Sequence, residues 1–169
     1  MNAHAAVMGV LVLLFISPSW TKAKYTATPY GHQKVVFDFY FDSPEKMGAG
    51  LFWLRSLIKP LSEAPYNYSS DLLEIVVVVH GTEVVTLAKK NYSKYQTTID
   101  RMRYYVDLGV KFKICEIAMQ DYGYRLEDFY DFVEVVPSAM TELVHWQSKG
   151  YALITPQVLE KKQANDKIR

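Results

Sequence analysis

The chain has 169 residues, half of them hydrophobic, which is enough to bury one core and form a single domain. Nineteen basic residues nearly balance eighteen acidic ones, giving a formal net charge of +1. This balance indicates no basic face and argues against a nucleic-acid-binding protein. The thirteen tyrosines suit either an oligomer interface or ordinary packing.

The first 23 residues have the layout of a secretory signal peptide. An apolar run from Ala5 to Ile16 is broken at Ser17-Pro18, and Thr21 and Ala23 offer small residues for cleavage. No basic residue precedes the run, which is shorter than the roughly 20 apolar residues that span a bilayer. We expect a cleaved export signal, and a periplasmic protein if the source is a Gram-negative bacterium. An uncleaved anchor and a wrongly assigned start are the alternatives.

Behind the signal, we expect a linker over 24–33, one α/β domain over 34–156 and a charged, fraying tail over 157–169. Strands are predicted at 34–41, 73–80, 111–115, 133–136 and 151–155. The run Ile75–Val79 is apolar on both faces, which is typical of a strand covered by helices on each side. Lys111–Cys115 alternates instead, with Lys113 and Cys115 on one face and Phe112 and Ile114 on the other.

Helical patterns separate these strands. Ser43-Pro44 begins a helix that Pro60 is expected to end. Further helices are predicted over 83–90, over 94–108 with Gly109 as the stop, and just after Cys115, followed by a helical turn over 125–130. The last begins at Pro137-Ser138 and uses an apolar face of Ala139, Met140, Leu143 and Val144. The alternation predicts a three-layer α/β/α sandwich around a mostly parallel sheet of about five strands.

Cys115 is the only cysteine in the chain, so an internal disulfide is excluded. It lies where a predicted strand enters a helix, and the N–H groups and dipole of that helix favour the reactive thiolate form. An odd cysteine in an exported protein suggests a reactive thiol or an intermolecular bridge. The alternative is a buried cysteine that only packs.

The common motifs of hydrolases, dehydrogenases and metalloenzymes are missing from the sequence. The four histidines have no metal-site spacing, so we expect no metal and no cofactor. His80 ends a predicted strand, as Cys115 does, and is the candidate base or hydrogen-bond partner for the thiol. His80 as a simple strand cap is the alternative. Glu116 follows the cysteine, and its carboxylate would oppose a neighbouring thiolate.

Three segments together resemble the DsrE/DsrF-like family of small sulfur-relay proteins. They are VVVVHGTEV, LGVKFKICEIAM and VEVVPSAMTELVHWQSKGYALITP, which occur in order within 34–156. The resemblance implies a three-layer α/β fold, assembly into homotrimers or larger oligomers, and sulfur carriage as a cysteine persulfide. Cys115 and His80 match the family's cysteine and strand-end histidine. Two features depart from the family's usual pattern. Members more often have an uncharged residue at the position of Glu116, and the best understood sulfur-relay members act in the cytoplasm.

The sequence leaves three candidate functions. The first is a sulfur carrier, at most sulfurtransferase-like, whose Cys115 takes sulfane sulfur from a protein or small polysulfide and passes it on. The second is a non-catalytic, oligomeric interaction module of an exported complex, with Cys115 buried. The third, which rests on fold analogy alone, is binding of a small ligand or nucleotide in the strand-end crevice. Solvent access to Cys115 separates the first two.

Overall fold

The computed structural model describes residues 22–168. Five strands form one sheet in the order β4-β3-β2-β1-β5, and every neighbouring pair is parallel. The strands are β1 (Gln33–Phe39), β2 (Leu73–Val79), β3 (Lys111–Cys115), β4 (Val133–Val136) and β5 (Ala152–Ile154). All five carboxyl ends therefore meet at one edge of the sheet.

Four α-helices accompany the sheet within the described residues. They are α1 (Met47–Ser62), α2 (Tyr92–Asp107), α3 (Glu116–Asp121) and α4 (Ala139–Ser148). Short 3-10 turns lie between them, at Pro44–Lys46, Ser70–Leu72, Thr82–Leu87, Lys89–Asn91, Leu126–Asp128 and Asn165–Lys167.

The helices lie in two layers. Gly50 of α1 lies against the Phe39 ring, and α1 packs beside α2 on that face of the sheet. The chain then returns from the edge strand β4 across the sheet to β5. A right-handed crossover puts α4 on the opposite face, where Glu142 reaches Lys113. The expected α/β/α sandwich with a five-stranded sheet is confirmed, and the sheet is parallel throughout.

The core lies between these layers and centres on β2. Val77, Val78 and Val79 are fully buried, because helices cover both faces of the strand. Ile99 and Met102 of α2 are also fully buried. The doubly apolar run in the sequence thus marks the central strand correctly.

Three local predictions are wrong. Pro60 does not end α1, which runs on to Ser62, because a proline in the last turn removes only one backbone hydrogen bond. The segment predicted as a helix over 83–90 forms 3-10 turns, since it is rich in β-branched residues. Met140 and Val144, predicted on the apolar face of α4, are 56% and 66% exposed.

The α4 face is narrower than predicted. Ala139 and Leu143 are buried one turn apart, and Trp146 packs against the core on the same side. Met140 and Val144 each follow a buried position by one residue, which rotates them about 100° around the helix axis. They face solvent in the monomer.

The predicted export signal falls largely on residues 1–21, which lie outside the described residues. Within 22–168, the structure has no helix that is both long enough and apolar enough to cross a bilayer.

Candidate functional site

His80 and Cys115 are neighbours at the carboxyl edge of the sheet. The β2–β3 register pairs Val78 with Lys113 and Val79 with Ile114. Continued one residue past this pairing, the register places His80 on the strand beside Cys115, and neighbouring strands of a sheet lie about 4.8 Å apart. Because side chains alternate along a strand, both residues belong to the face that carries Lys113. The two residues singled out by the sequence are therefore side by side.

Cys115 ends β3 and is the residue that precedes the first turn of α3. It is 5% exposed and belongs to the buried apolar cluster, together with Ala118 and Met119 of α3. The thiol therefore lies in the core, at the junction of β3 and α3. A reagent in bulk solvent therefore has little direct access to Cys115 in the monomer.

His80 is held on its other side. Its Nε2 lies 2.6 Å from Oδ1 of Asp38 on β1, and both side chains are mostly buried. The Tyr40 ring stacks on the imidazole at a centroid distance of 4.9 Å and an angle of 18°. Among the hydrogen bonds of residues 22–168, the His80 imidazole bonds to Asp38, and none joins it to Cys115.

Glu83 fixes the loop that follows His80. Its Oε1 accepts hydrogen bonds from the N–H groups of His80 (3.3 Å) and Gly81 (2.8 Å), and Oε2 accepts from Phe41 N–H (3.0 Å). The side chain is fully buried, and burial raises the pKa of its carboxyl above the ordinary value of 4.5, although the backbone hydrogen bonds lower it. One carboxylate thus ties the end of β2 to the segment after β1.

Gly81 is required by this arrangement. A Cβ atom at this position would lie 2.5 Å from Glu83 Oε2 and 2.6 Å from Phe41 N. The His-Gly pair that ends β2 is therefore explained by close packing, since a side chain at position 81 would displace the carboxylate.

A crevice of about 620 Å³ opens at the carboxyl edge, next to His80. One wall comes from Ala118 and Tyr122 at α3, and the other from the segment after β5, residues 155–159. Cys115 precedes Ala118 by about one helical turn and is not among the residues that line the crevice. Parallel sheets commonly bind ligands at this edge.

Glu116 does not act on the thiol in the way the sequence suggested. Its side chain is exposed and accepts a hydrogen bond from Gln120 Nε2 at 3.2 Å, one turn further along α3. The carboxylate is directed along the helix surface, so its repulsion of a thiolate is screened by solvent.

Three polar residues of this edge were missed from the sequence: Asp38, Glu83 and Thr155. Asp38 stands alone among apolar residues of β1, in KVVFDFYF, and a carboxylate in such a strand is a signal that a partner exists. Glu83 follows His80 by three residues, a spacing compatible with a side chain that bonds back to the strand end. Thr155 gives no comparable signal, because its partner Asp38 is distant in sequence.

Lys113 marks the middle of the same sheet face. The side chain is 9% exposed, and its ammonium lies 2.6 Å from Glu134 of β4 and 3.4 Å from Glu142 of α4. Lys113 lies on the face of β3 opposite Phe112 and Ile114, as predicted, and the two carboxylates explain why a lysine is tolerated at this buried position. Within residues 22–168, no cluster of His, Cys, Asp and Glu is arranged to hold a metal ion.

The model of the DsrE/DsrF-like family matches residues 28–156. The chain belongs to the DsrE/DsrF-like family. The matched range contains the whole sheet, both Cys115 and His80, and the crevice residues up to Pro156. No curated protein matches the chain significantly.

Solved structures share the fold of this chain. MTH1491 from Methanobacterium thermoautotrophicum, a protein of unknown function, aligns with a TM-score of 0.58 and 24% identity over 73% of this chain and 99% of its own. The ychN protein from E. coli aligns with a TM-score of 0.53 and 16% identity, over 73% of this chain and 98% of its own. At these identities the likeness supports the fold alone.

Proposed function

We propose that this DsrE/DsrF-like protein carries sulfane sulfur as a persulfide on Cys115, in exchange with a donor or acceptor protein or a small polysulfide. The observation that carries the proposal is the position of the only cysteine, at the end of the strand next to the one that His80 follows and one helical turn before Ala118, which lines the strand-end crevice with His80. Family membership supports it. The proposal includes export to the periplasm and assembly into a homo-oligomer of three or more chains.

The chemistry is a transfer of one sulfur atom without net oxidation. The Cys115 thiolate attacks the outer sulfur of a donor persulfide, R–S–SH, and a new S–S bond forms at Sγ. The bond between the two donor sulfurs breaks, and R–S⁻ leaves with the electron pair. The Cys115 proton ends on the leaving thiolate. The reverse sequence of bond changes delivers the sulfur to an acceptor thiol.

Burial of Cys115 suits this function because a persulfide is itself reactive. A sulfur held on this buried thiol is shielded from water and from small thiols in bulk solution. Local opening of the adjoining six-residue helix α3 would give a donor access to Sγ, since short helices open at low free-energy cost.

Cyanolysis tests the proposal. The protein is incubated with inorganic polysulfide, desalted, and treated with cyanide, which converts sulfane sulfur to thiocyanate. We expect about one sulfane sulfur per chain, as a single thiol allows. Cys115→Ser and Cys115→Ala should release none, while their circular dichroism matches the wild type. Equal release from wild type and both variants would reject the proposal.

A second function is favoured by the exposed apolar side chains of α4 and the low exposure of Cys115. Met140 and Val144 lie one turn apart on a solvent-facing strip, as an interaction module would require. The two functions differ in the reactivity of the thiol. An interaction module predicts that iodoacetamide labels Cys115 only after unfolding, whereas the carrier predicts labelling of the folded protein, faster than global unfolding.

A further inference from the structure

Asp38 places a carboxylate in the interior of a parallel sheet, at the end of an apolar strand. Its side chain is 18% exposed, and its two oxygens have separate partners. Oδ1 lies 2.6 Å from His80 Nε2, and Oδ2 accepts a hydrogen bond from Thr155 Oγ1 at 3.3 Å. Asp38 lies on the same face of β1 as Val36 and pairs with Val78 of β2. Packing alone therefore gives no reason for a charged group at this position.

The Asp38 carboxylate determines the tautomer of His80. An ionised carboxylate only accepts hydrogen bonds, so Nε2 must carry the hydrogen. In the neutral imidazole, Nδ1 then holds the free electron pair and is the basic atom. The stacked Tyr40 ring restricts rotation of the imidazole, and Glu83 fixes the backbone N–H of His80. The ring is thus fixed in both tautomer and orientation.

The fixed imidazole lies one strand away from the thiol. The β2–β3 register pairs Val79 with Ile114, and its continuation by one residue puts His80 and Cys115 on neighbouring strands and on the same face. Because neighbouring strands lie about 4.8 Å apart, side chains placed in this way can come within reach for proton transfer, directly or through one water molecule. His80 also lines the crevice from which a sulfur donor would enter.

We propose that Asp38 is a positioning residue, which holds His80 in the tautomer that accepts the Cys115 proton during sulfur transfer. This inference rests on the proposed persulfide function. His80 Nδ1 takes the proton from the Cys115 thiol, and the Sγ electron pair forms the bond to the donor's outer sulfur. When R–S⁻ leaves, the imidazolium returns the proton to it. The imidazole ends neutral, and no oxidant or reductant is consumed.

Nitrogen-15 NMR of the histidine rings tests the tautomer directly. In the folded wild type, we expect the His80 ring to be hydrogenated at Nε2 when neutral. In Asp38→Asn, the side-chain amide also offers a donor, so the Nδ1-hydrogenated form should increase. A purely structural role for Asp38 would leave the tautomer unchanged. A wild-type ring hydrogenated at Nδ1 would overturn the inference without any variant.

Loading rates test the consequence. With inorganic polysulfide as the donor, Asp38→Asn and His80→Ala should load Cys115 about ten- to a hundredfold more slowly than the wild type, the range typical of a displaced proton acceptor. Added imidazole should restore part of the His80→Ala rate. Asp100→Asn on α2 is the matched control and should load normally, because this carboxylate is exposed and, in the described contacts, accepts a hydrogen bond only from Tyr92.

The outcomes separate this inference from the proposed function. If the wild type does not load, the persulfide proposal itself fails. If the wild type loads and folded Asp38→Asn loads equally fast, only the positioning role of Asp38 is rejected. Should Asp38→Asn fail to fold, Thr155→Val replaces it, because it removes one hydrogen bond from the carboxylate and should slow loading by a smaller factor. Unchanged loading in that variant rejects the inference, as does a wild-type ring hydrogenated at Nδ1.

Discussion

Glu83 shows how one buried side chain organises the strand-end edge. Its carboxylate accepts three backbone hydrogen bonds, from Phe41, His80 and Gly81, and it lies in the interior without a basic partner among those contacts. The N–H groups of Phe41 and Gly81 would otherwise be buried donors in need of an acceptor, whereas that of His80 also donates to Phe39 O at 3.1 Å. The position of His80 therefore depends on a residue three positions later in the chain.

Replacing Glu83 by glutamine should destabilise the fold. The amide nitrogen is a donor, so it must face either Phe41 N–H or the two N–H groups at His80 and Gly81, and at least one of these groups loses its acceptor. We expect a loss of about 1–3 kcal/mol in the free energy of unfolding, measured by urea denaturation. Glu63→Gln, in an exposed pair with Lys59, should change it by less than about 0.5 kcal/mol.

The Glu83→Gln effect should also depend on pH. Because burial raises the pKa of Glu83 in the folded state, its contribution to stability is fully present below the unfolded-state value near 4.5. That contribution is lost as the pH rises through the raised pKa. The stability difference between wild type and Glu83→Gln should therefore be larger at about pH 4 than at about pH 7. A difference that grows with pH would contradict this account.

Helix α4 shows the limit of reading a helix face from composition. The four apolar residues Ala139, Met140, Leu143 and Val144 look equivalent in the sequence, but only the first and third are buried. An apolar pair shifted by one residue falls about 100° away on the helix. The buried seam is completed by Trp146, whose indole N–H donates to Glu142 at 2.7 Å.

Adjacent substitutions in α4 distinguish the two faces. Leu143→Ala should lower the free energy of unfolding by about 2–4 kcal/mol, because it removes a buried side chain between the helix and the sheet. Val144→Ala should change it by less than about 0.5 kcal/mol in the monomer. Both are measured by thermal and urea unfolding at low protein concentration. Equal losses in the two variants would contradict the orientation of α4 described above.

Val144 also reports on assembly. If the strip of Met140 and Val144 is covered in an oligomer, Val144→Ala should lower the stability of the assembled protein and weaken its association, since apolar area is then lost from an interface. Sedimentation velocity over a range of concentrations measures this. An association unaffected by the substitution would place the oligomer contact elsewhere.

For the whole molecule, local patterns predicted the elements well. The doubly apolar run Ile75–Val79 predicted a strand covered on both faces, and Lys111–Cys115 and Val133–Val136 were predicted with the bounds that the structure has. Such patterns report which faces are buried, and the alternation of strands and helices restricts the fold to a sandwich. The strand order was not accessible, because it depends on contacts between distant segments.

The candidate site was only partly predictable for the same reason. Cys115 and His80 stand out as a single thiol and an imidazole at strand ends, and their adjacency follows from the sheet register. Asp38 of β1 contacts His80 across 42 residues of chain, and Thr155, just after β5, contacts Asp38 across 117 residues. Neither long-range pairing leaves a periodic signal. The burial of Cys115 also depends on how α3 folds back, which the strand pattern does not specify.

The most direct test of a persulfide on Cys115 is the intact mass of the folded protein before and after inorganic polysulfide. We expect the mass to rise by whole sulfur atoms, to return to its starting value with reductant, and to stay constant in Cys115→Ser. A wild-type mass that does not change, with Cys115 alkylated only after unfolding, would contradict the carrier function and leave the cysteine as a core residue.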